Sequence, residues 1–97
     1  MAMTEMQRRF QTVVANLVSG EVVSYGEVAS RAGHYRAARA VGAFLAQYGQ
    51  DLPWWRVVRG DGRLAAHKRT EQARRLRSEG VEVRNGRVID SMPPRPR

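Results

Sequence analysis

Apolar residues recur at helical spacing near the start of the chain. Met6, Phe10, Val13, Val14 and Leu17 share one face, which predicts an amphipathic helix. Thr4 can cap it, with Gln7 three residues on completing a capping box, and Gly20 is placed to end it. Ser24-Tyr25-Gly26-Glu27 is a second box, Ser-x-x-Glu. It opens a short helix over about Tyr25–Arg31, with Val28 and Ala29 facing inward. Gly33 then breaks the chain. A third helix is expected over residues 35–48, with Val41, Phe44 and Leu45 as its apolar stripe. A short helix, a glycine-containing turn and a longer helix rich in small residues make the pattern of a helix-turn-helix, about 24–48.

The pattern changes after residue 48. Residues 49–52 are polar and turn-like, and Pro53-Trp54-Trp55-Arg56-Val57-Val58 is apolar and rich in β formers. Neighbours in an extended segment point to opposite sides. One of the two indoles is therefore expected in the core and the other at a pocket or the surface, where it could stack on a planar ligand such as a nucleobase. Gly60-Asp61-Gly62 is a turn. Thr70 is expected to cap a last helix running through Glu79, with a thin apolar side of Ala73 and Leu76 and Gly80 at its end. Residues 81–89 read as a hairpin whose Asn85-Gly86 pair suits a type I′ turn. The fold expected is mostly α with short β elements, one domain over residues 1–90 and a disordered tail at 91–97.

Charge adds the first functional hint. The 97 residues carry 17 basic and 9 acidic side chains, a net charge of +8. Residues 1–50 contribute five Arg against three acids, and residues 51–97 twelve basic residues against six acids. A small domain this basic usually meets a polyanion, most often nucleic acid. There is no cysteine, hence no disulfide, thiolate zinc site or cysteine nucleophile. His34 and His67 lie in polar, loop-like stretches, the acids are scattered, and no phosphate-binding glycine loop is present. No catalytic constellation emerges, and no metal or cofactor is expected. No apolar run approaches the ~18 residues of a membrane span and the N-terminus lacks a signal-peptide pattern. A cytoplasmic location is expected, at the nucleoid if the cell is bacterial.

The motifs have an order of their own. Val23-Ser24-Tyr25-Gly26-Glu27-Val28-Ala29, Gly33, Ala37-Ala38-Arg39-Ala40-Val41-Gly42, Pro53-Trp54-Trp55-Arg56-Val57-Val58 and Glu79-Gly80 follow one another. Together, over about residues 5–83, they resemble the C-terminal DNA-binding domain of the O6-alkylguanine-DNA alkyltransferases, a winged-helix-like helix-turn-helix domain. That family's signature is Pro-Cys-His-Arg-Val, whose cysteine takes the alkyl group. Here Trp54 stands at the cysteine position, which is the hallmark of the non-catalytic alkyltransferase-like proteins. Indole cannot act as a thiolate does, so alkyl transfer is not expected. Trp55 replaces the histidine, where a polar residue is common in alkyltransferase-like proteins, and leaves open whether this position forms a hydrogen bond. The partner acid survives as Glu79, for which a structural role is expected.

The resemblance implies roles residue by residue. Arg39 would be the arginine finger that fills the gap left by a flipped base. Ala37, Ala38, Ala40 and Gly42 would let this helix approach the duplex closely in the minor groove. Tyr25 would crowd the phosphate 3′ to the lesion and aid rotation of the nucleotide. Trp54 would shape the lesion pocket, Arg69 would contact the modified guanine, and Arg56 would tie loops together. The family's Tyr-Ser-Gly-Gly-like loop and its asparagine hinge are missing, replaced by Leu64-Ala65-Ala66-His67-Lys68-Arg69 and Tyr48-Gly49-Gln50-Asp51. The function implied is a monomeric sensor of O6-alkylguanine in double-stranded DNA that flags the lesion for nucleotide excision repair proteins. The alternative is a helix-turn-helix transcription regulator on undamaged DNA, although a helix offering alanines, glycine and one central arginine has few side chains with which to read bases.

Overall fold

Thr4 starts the first helix, α1 (Glu5–Ala15), through the reciprocal box. Its hydroxyl accepts the Gln7 N–H at 3.1 Å, and the Gln7 side chain accepts the Thr4 N–H at 2.9 Å. The computed structural model describes residues 2–89, so the expected tail at 91–97 lies outside the described residues. α1 stops earlier than predicted, at Ala15. Gly20 instead occupies a turn in which Glu21 N–H meets the Val18 carbonyl at 2.9 Å. Its φ of +86° suits the third position of that turn. Leu17 lies beyond the helix yet remains buried.

β1 (Val23–Ser24) runs into α2 (Tyr25–Arg31). Only half of the second box forms. Ser24 Oγ accepts the Glu27 N–H at 3.0 Å, while the Glu27 carboxylate pairs with Arg31 at 2.9 Å. α2 closes on Gly33, with His34 N–H on the Ala29 carbonyl and Gly33 N–H on the Ser30 carbonyl, the bond pair of a Schellman end. α3 is Ala38–Tyr48, later in its start than the apolar spacing predicts. Residues 34–37 form a turn closed by Ala37 N–H on the His34 carbonyl at 3.0 Å, with Arg36 at φ +77° in the third position. That left-handed residue cannot belong to a helix.

The tryptophans also correct the sequence expectation. Trp54–Arg56 is one 3-10 turn, not an extended segment, and extension begins at β2 (Val57–Val58). β2 pairs in parallel with β1, Val23 opposite Val57 and Ser24 opposite Val58. Alternation therefore operates here. Val23 and Val57 join Phe10, Val14, Val28, Val41 and Phe44 in one core, and Val22 and Val58 join Leu64, Leu76, Val83 and Val88 in another. Each fully buried apolar side chain of this size contributes about 1.5–3 kcal/mol. One strand pair thus holds the helix-turn-helix to the C-terminal half.

The last helix, α4 (Arg69–Ser78), begins before Thr70, so Thr70 is not its cap. The chain enters through a 3-10 turn at Ala66–Lys68, anchored where Ala65 N–H donates to Gln72 Oε1 at 2.8 Å. α4 ends at Gly80 with a second Schellman pair, Val81 N–H to Leu76 and Gly80 N–H to Arg77. β3 (Val83–Arg84) and β4 (Arg87–Val88) then pair antiparallel. Asn85 and Gly86 have φ of +54° and +73°, both positive as a type I′ turn demands. The fold is mostly helical with short strands, as the sequence predicts. Among the described residues, no helix is long and apolar enough to cross a membrane.

Candidate nucleic-acid interface

The end of α3, the Trp54 turn and the loop before α4 surround a cavity of about 240 Å³. Tyr25, Gly42, Leu45, Trp54, Lys68 and Gln72 stand in its wall. Trp54 is only partly buried, so part of its indole is open to an incoming group. Lys68 Nζ lies 5.0 Å from the Trp54 ring centroid, within cation–π range. Burial raises the Tyr25 phenol above its ordinary pKa, against the pull of the Arg59 charge. The phenol therefore keeps its proton at neutral pH and can donate to an anionic oxygen.

Behind Trp54 the structure is rigidly tied. Trp55 meets Trp54 edge to face, with centroids 6.1 Å apart. The Trp55 ring lies against two guanidinium groups, Arg56 at 5.2 Å and Arg75 at 4.5 Å. Its indole N–H donates to Glu79 Oε2 at 2.8 Å, so this position does form a hydrogen bond. Arg56 donates to Glu79 from Nε and Nη2, the latter at 2.7 Å, and from Nη1 to the Leu17 carbonyl at 2.8 Å. Gly20 N–H adds a bond to Glu79 Oε1 at 2.8 Å. Burial works to raise the Glu79 pKa, but the bonds from Arg56, Gly20 and Trp55 and the Arg56 charge outweigh it and hold the carboxyl at about 2. Glu79 is thus ionised and fully engaged. It joins the turn after α1, the Trp54 turn and the end of α4.

Gln72 secures the other side. It is fully buried, donates to the Trp55 and Val57 carbonyls at 3.1 and 3.0 Å, and accepts the Ala65 N–H. With every polar atom served, it fixes the cavity floor without the cost of an orphaned group. Arg39 is exposed on the first turn of α3. Among the described residues its side chain takes part in no ion pair or hydrogen bond, so its charge is available to a ligand. Ala37 and Ala40 pack against the first core. Ala38 is half-exposed, and a Cβ at Gly42 would meet nothing within 4 Å.

Tyr25, Gly42 and Trp54 therefore come together, with Arg39 on the same helix as Gly42. Arg69 does not join them. Its side chain lies against Gly86 and lines a different cavity, because the 3-10 turn directs Lys68 to Trp54 and Arg69 away. Lys68, Gln72 and Arg75 were not anticipated from sequence. Gln72 had a signal. It stands four residues before Leu76 on the apolar stripe of α4, where a polar residue must find buried partners.

A helix-turn-helix whose second helix is rich in small residues, beside a cavity walled by Tyr25, Trp54 and Lys68, has the form of a DNA-binding domain of the alkyltransferase type. Residues 5–81 match the family described as 6-O-methylguanine DNA methyltransferase, DNA binding domain, and the chain belongs to that family. It is 40% identical over 87 residues to a DNA base-flipping protein of Escherichia coli K12, covering 86% of this chain and 67% of that one. A bifunctional methyltransferase/endonuclease of Picrophilus torridus is 33% identical over 81 residues, 79% of this chain, which spans only 27% of that relative's length. Among solved structures, S. pombe Atl1 in complex with damaged DNA containing O6-carboxymethylguanine superposes with a TM-score of 0.76 at 30% identity, covering 87% of this chain and 83% of that one. The O6-methylguanine methyltransferase of Mycobacterium tuberculosis gives 0.70 at 29% identity, covering 80% and 50%.

Proposed function

We propose that the protein binds duplex DNA carrying O6-alkylguanine, rotates the damaged nucleotide into the cavity beside Trp54 and holds it there without chemical change. One observation carries this reading. The cavity wall at the signature position is an indole, and the residue behind it donates its one side-chain N–H to Glu79. A thiolate is absent, and indole has no lone pair with which to take a proton. What is left is a pocket for a planar group.

The roles proposed here combine the resemblance with the positions of the side chains. Arg39 occupies the space vacated in the stack, Tyr25 donates to a backbone phosphate, and Trp54 and Lys68 contact the extruded base. Ala38 and Gly42 let α3 lie close to the minor groove. Flipping costs a few kcal/mol and least for a poorly paired base, so a damaged guanine is favoured over an intact one. The protein acts as a monomer in the compartment that holds the DNA, and the complex is a signal for nucleotide excision repair. The E. coli relative, named a DNA base-flipping protein, and S. pombe Atl1, crystallised with damaged DNA, support the DNA reading.

A duplex with 2-aminopurine next to O6-methylguanine tests it. Fluorescence should rise on binding as the neighbour unstacks, and should rise less with undamaged guanine. Equal responses would refute flipping into this cavity.

A further inference from the structure

The C-terminal hairpin holds more positive charge than its packing requires. Arg84 stands opposite Arg87 across β3–β4, and Arg63 bridges to Arg87 as well. Cross-strand partners share a face, so Arg63, Arg87 and Arg84 form a row while Val83 and Val88 turn to the core. Like charges directly opposite one another destabilise a sheet. Asp61 meets Arg63 at 3.4 Å and Glu82 meets Arg84 at 2.9 Å. Both pairs are exposed, and such pairs contribute little. Arg87 makes no direct ion pair among the described residues, and the one carboxylate its charge reaches, Asp61, is shared with Arg63 and Arg59.

Arg59 and Arg69 complete the arginine lining of a cavity of about 420 Å³ here. It is set against the Trp54 cavity through a shared wall. In the loop before α4, Ala65, His67 and Lys68 line the Trp54 side, while Leu64, Ala66 and Arg69 line this one. Arg59 also acts on the Tyr25 phenol, so the basic surface continues towards the lesion cavity.

We propose that the row Arg63, Arg87 and Arg84 is a second phosphate-binding surface, which grips the backbone of the duplex beyond the lesion cavity regardless of damage. Guanidinium forks match phosphate oxygens two bonds at a time, and bound phosphates relieve the repulsion within the row. Continuity with the Tyr25 side favours DNA over an acidic protein segment. The proposal rests on the chain binding duplex DNA and does not require any preference for the lesion.

The test uses the full chain, the variant R63Q/R84Q/R87Q, the variant R63K/R84K/R87K and the single variant R87Q. Binding to long duplexes with and without O6-methylguanine is followed by anisotropy across a salt series. Each phosphate neutralised adds about 0.9 to the slope of log affinity against log salt. The triple Gln variant should lose about 2–3 from that slope, by the same rule, and weaken equally on both duplexes, keeping its lesion preference. R87Q should lose about 1, and the Lys variant should keep the slope. Unchanged affinity and slope in the Gln variant would overturn the proposal, as expected if an acidic protein segment were the occupant. A Gln variant that melts well below wild type would overturn the self-repulsion on which it stands. Absence of lesion preference in every protein, with the slope loss intact, would refute the proposed damage recognition and support this surface.

Discussion

Glu79 offers the sharpest quantitative test of the clamp behind Trp54. Its carboxyl is held at about 2 against an ordinary 4.5. A shift of this size corresponds to about 3 kcal/mol at 1.36 kcal/mol per pH unit. The sign follows from the direction. A carboxyl depressed in the folded state adds stability that is full above its unfolded pKa of 4.5 and is lost as pH falls towards 2. In Glu79→Gln the single amide oxygen can accept from only one of Gly20 and Trp55, which bond to different carboxylate oxygens, and Arg56, only 14% exposed, loses its counter-charge. Urea unfolding followed by circular dichroism at several pH values between 7 and 2 measures the effect. The variant should be about 3 kcal/mol less stable at pH 7, a large part of the 5–15 kcal/mol typical of a domain. The gap should close as pH approaches 2. A variant within about 0.5 kcal/mol of wild type at pH 7, the usual range for a surface change, would refute the reasoning. So would a gap that persists at low pH.

Other outcomes follow from the same geometry. Arg39→Ala should leave stability within about 0.5 kcal/mol of wild type because the side chain is exposed and unpartnered, yet lower the ratio of lesion to undamaged affinity in duplex titrations. Gln72→Leu orphans one N–H and two carbonyls. It should cost about 2–4 kcal/mol, read as a fall of about 10 °C or more in melting temperature. Trp54→Cys should gain no alkyl mass after incubation with O6-methylguanine DNA, as read by intact mass spectrometry, because Trp55 cannot serve as its base.

Local rules made much of the fold legible. The Thr4 box, the Schellman ends at Gly33 and Gly80 and the Asn85-Gly86 turn are decided by a few adjacent residues, and the structure has each of them. The departures have non-local causes. Arg36 adopts a left-handed conformation, which delays α3, and nothing in its residue type announces that. The Trp54 turn is held by Gln72 and Glu79, which are remote in sequence, so a β-rich composition there was misleading. The same remoteness hid Lys68. Its approach to Trp54 depends on a 3-10 turn that the Gln72 side chain anchors, whereas the resemblance directed attention to Arg69. Trp55 shows the converse. Its type alone left a hydrogen bond open, and only the fold brings Glu79 within 2.8 Å of its indole nitrogen.

The central claim is recognition of a damaged base by a pocket that performs no chemistry. Its most direct test is a titration of two labelled duplexes, identical except for one O6-methylguanine, at fixed salt. The protein should bind the damaged duplex more tightly, by a factor that Trp54→Ala reduces while leaving affinity for the undamaged duplex unchanged. Equal affinities of the wild-type protein for the two duplexes would contradict the account.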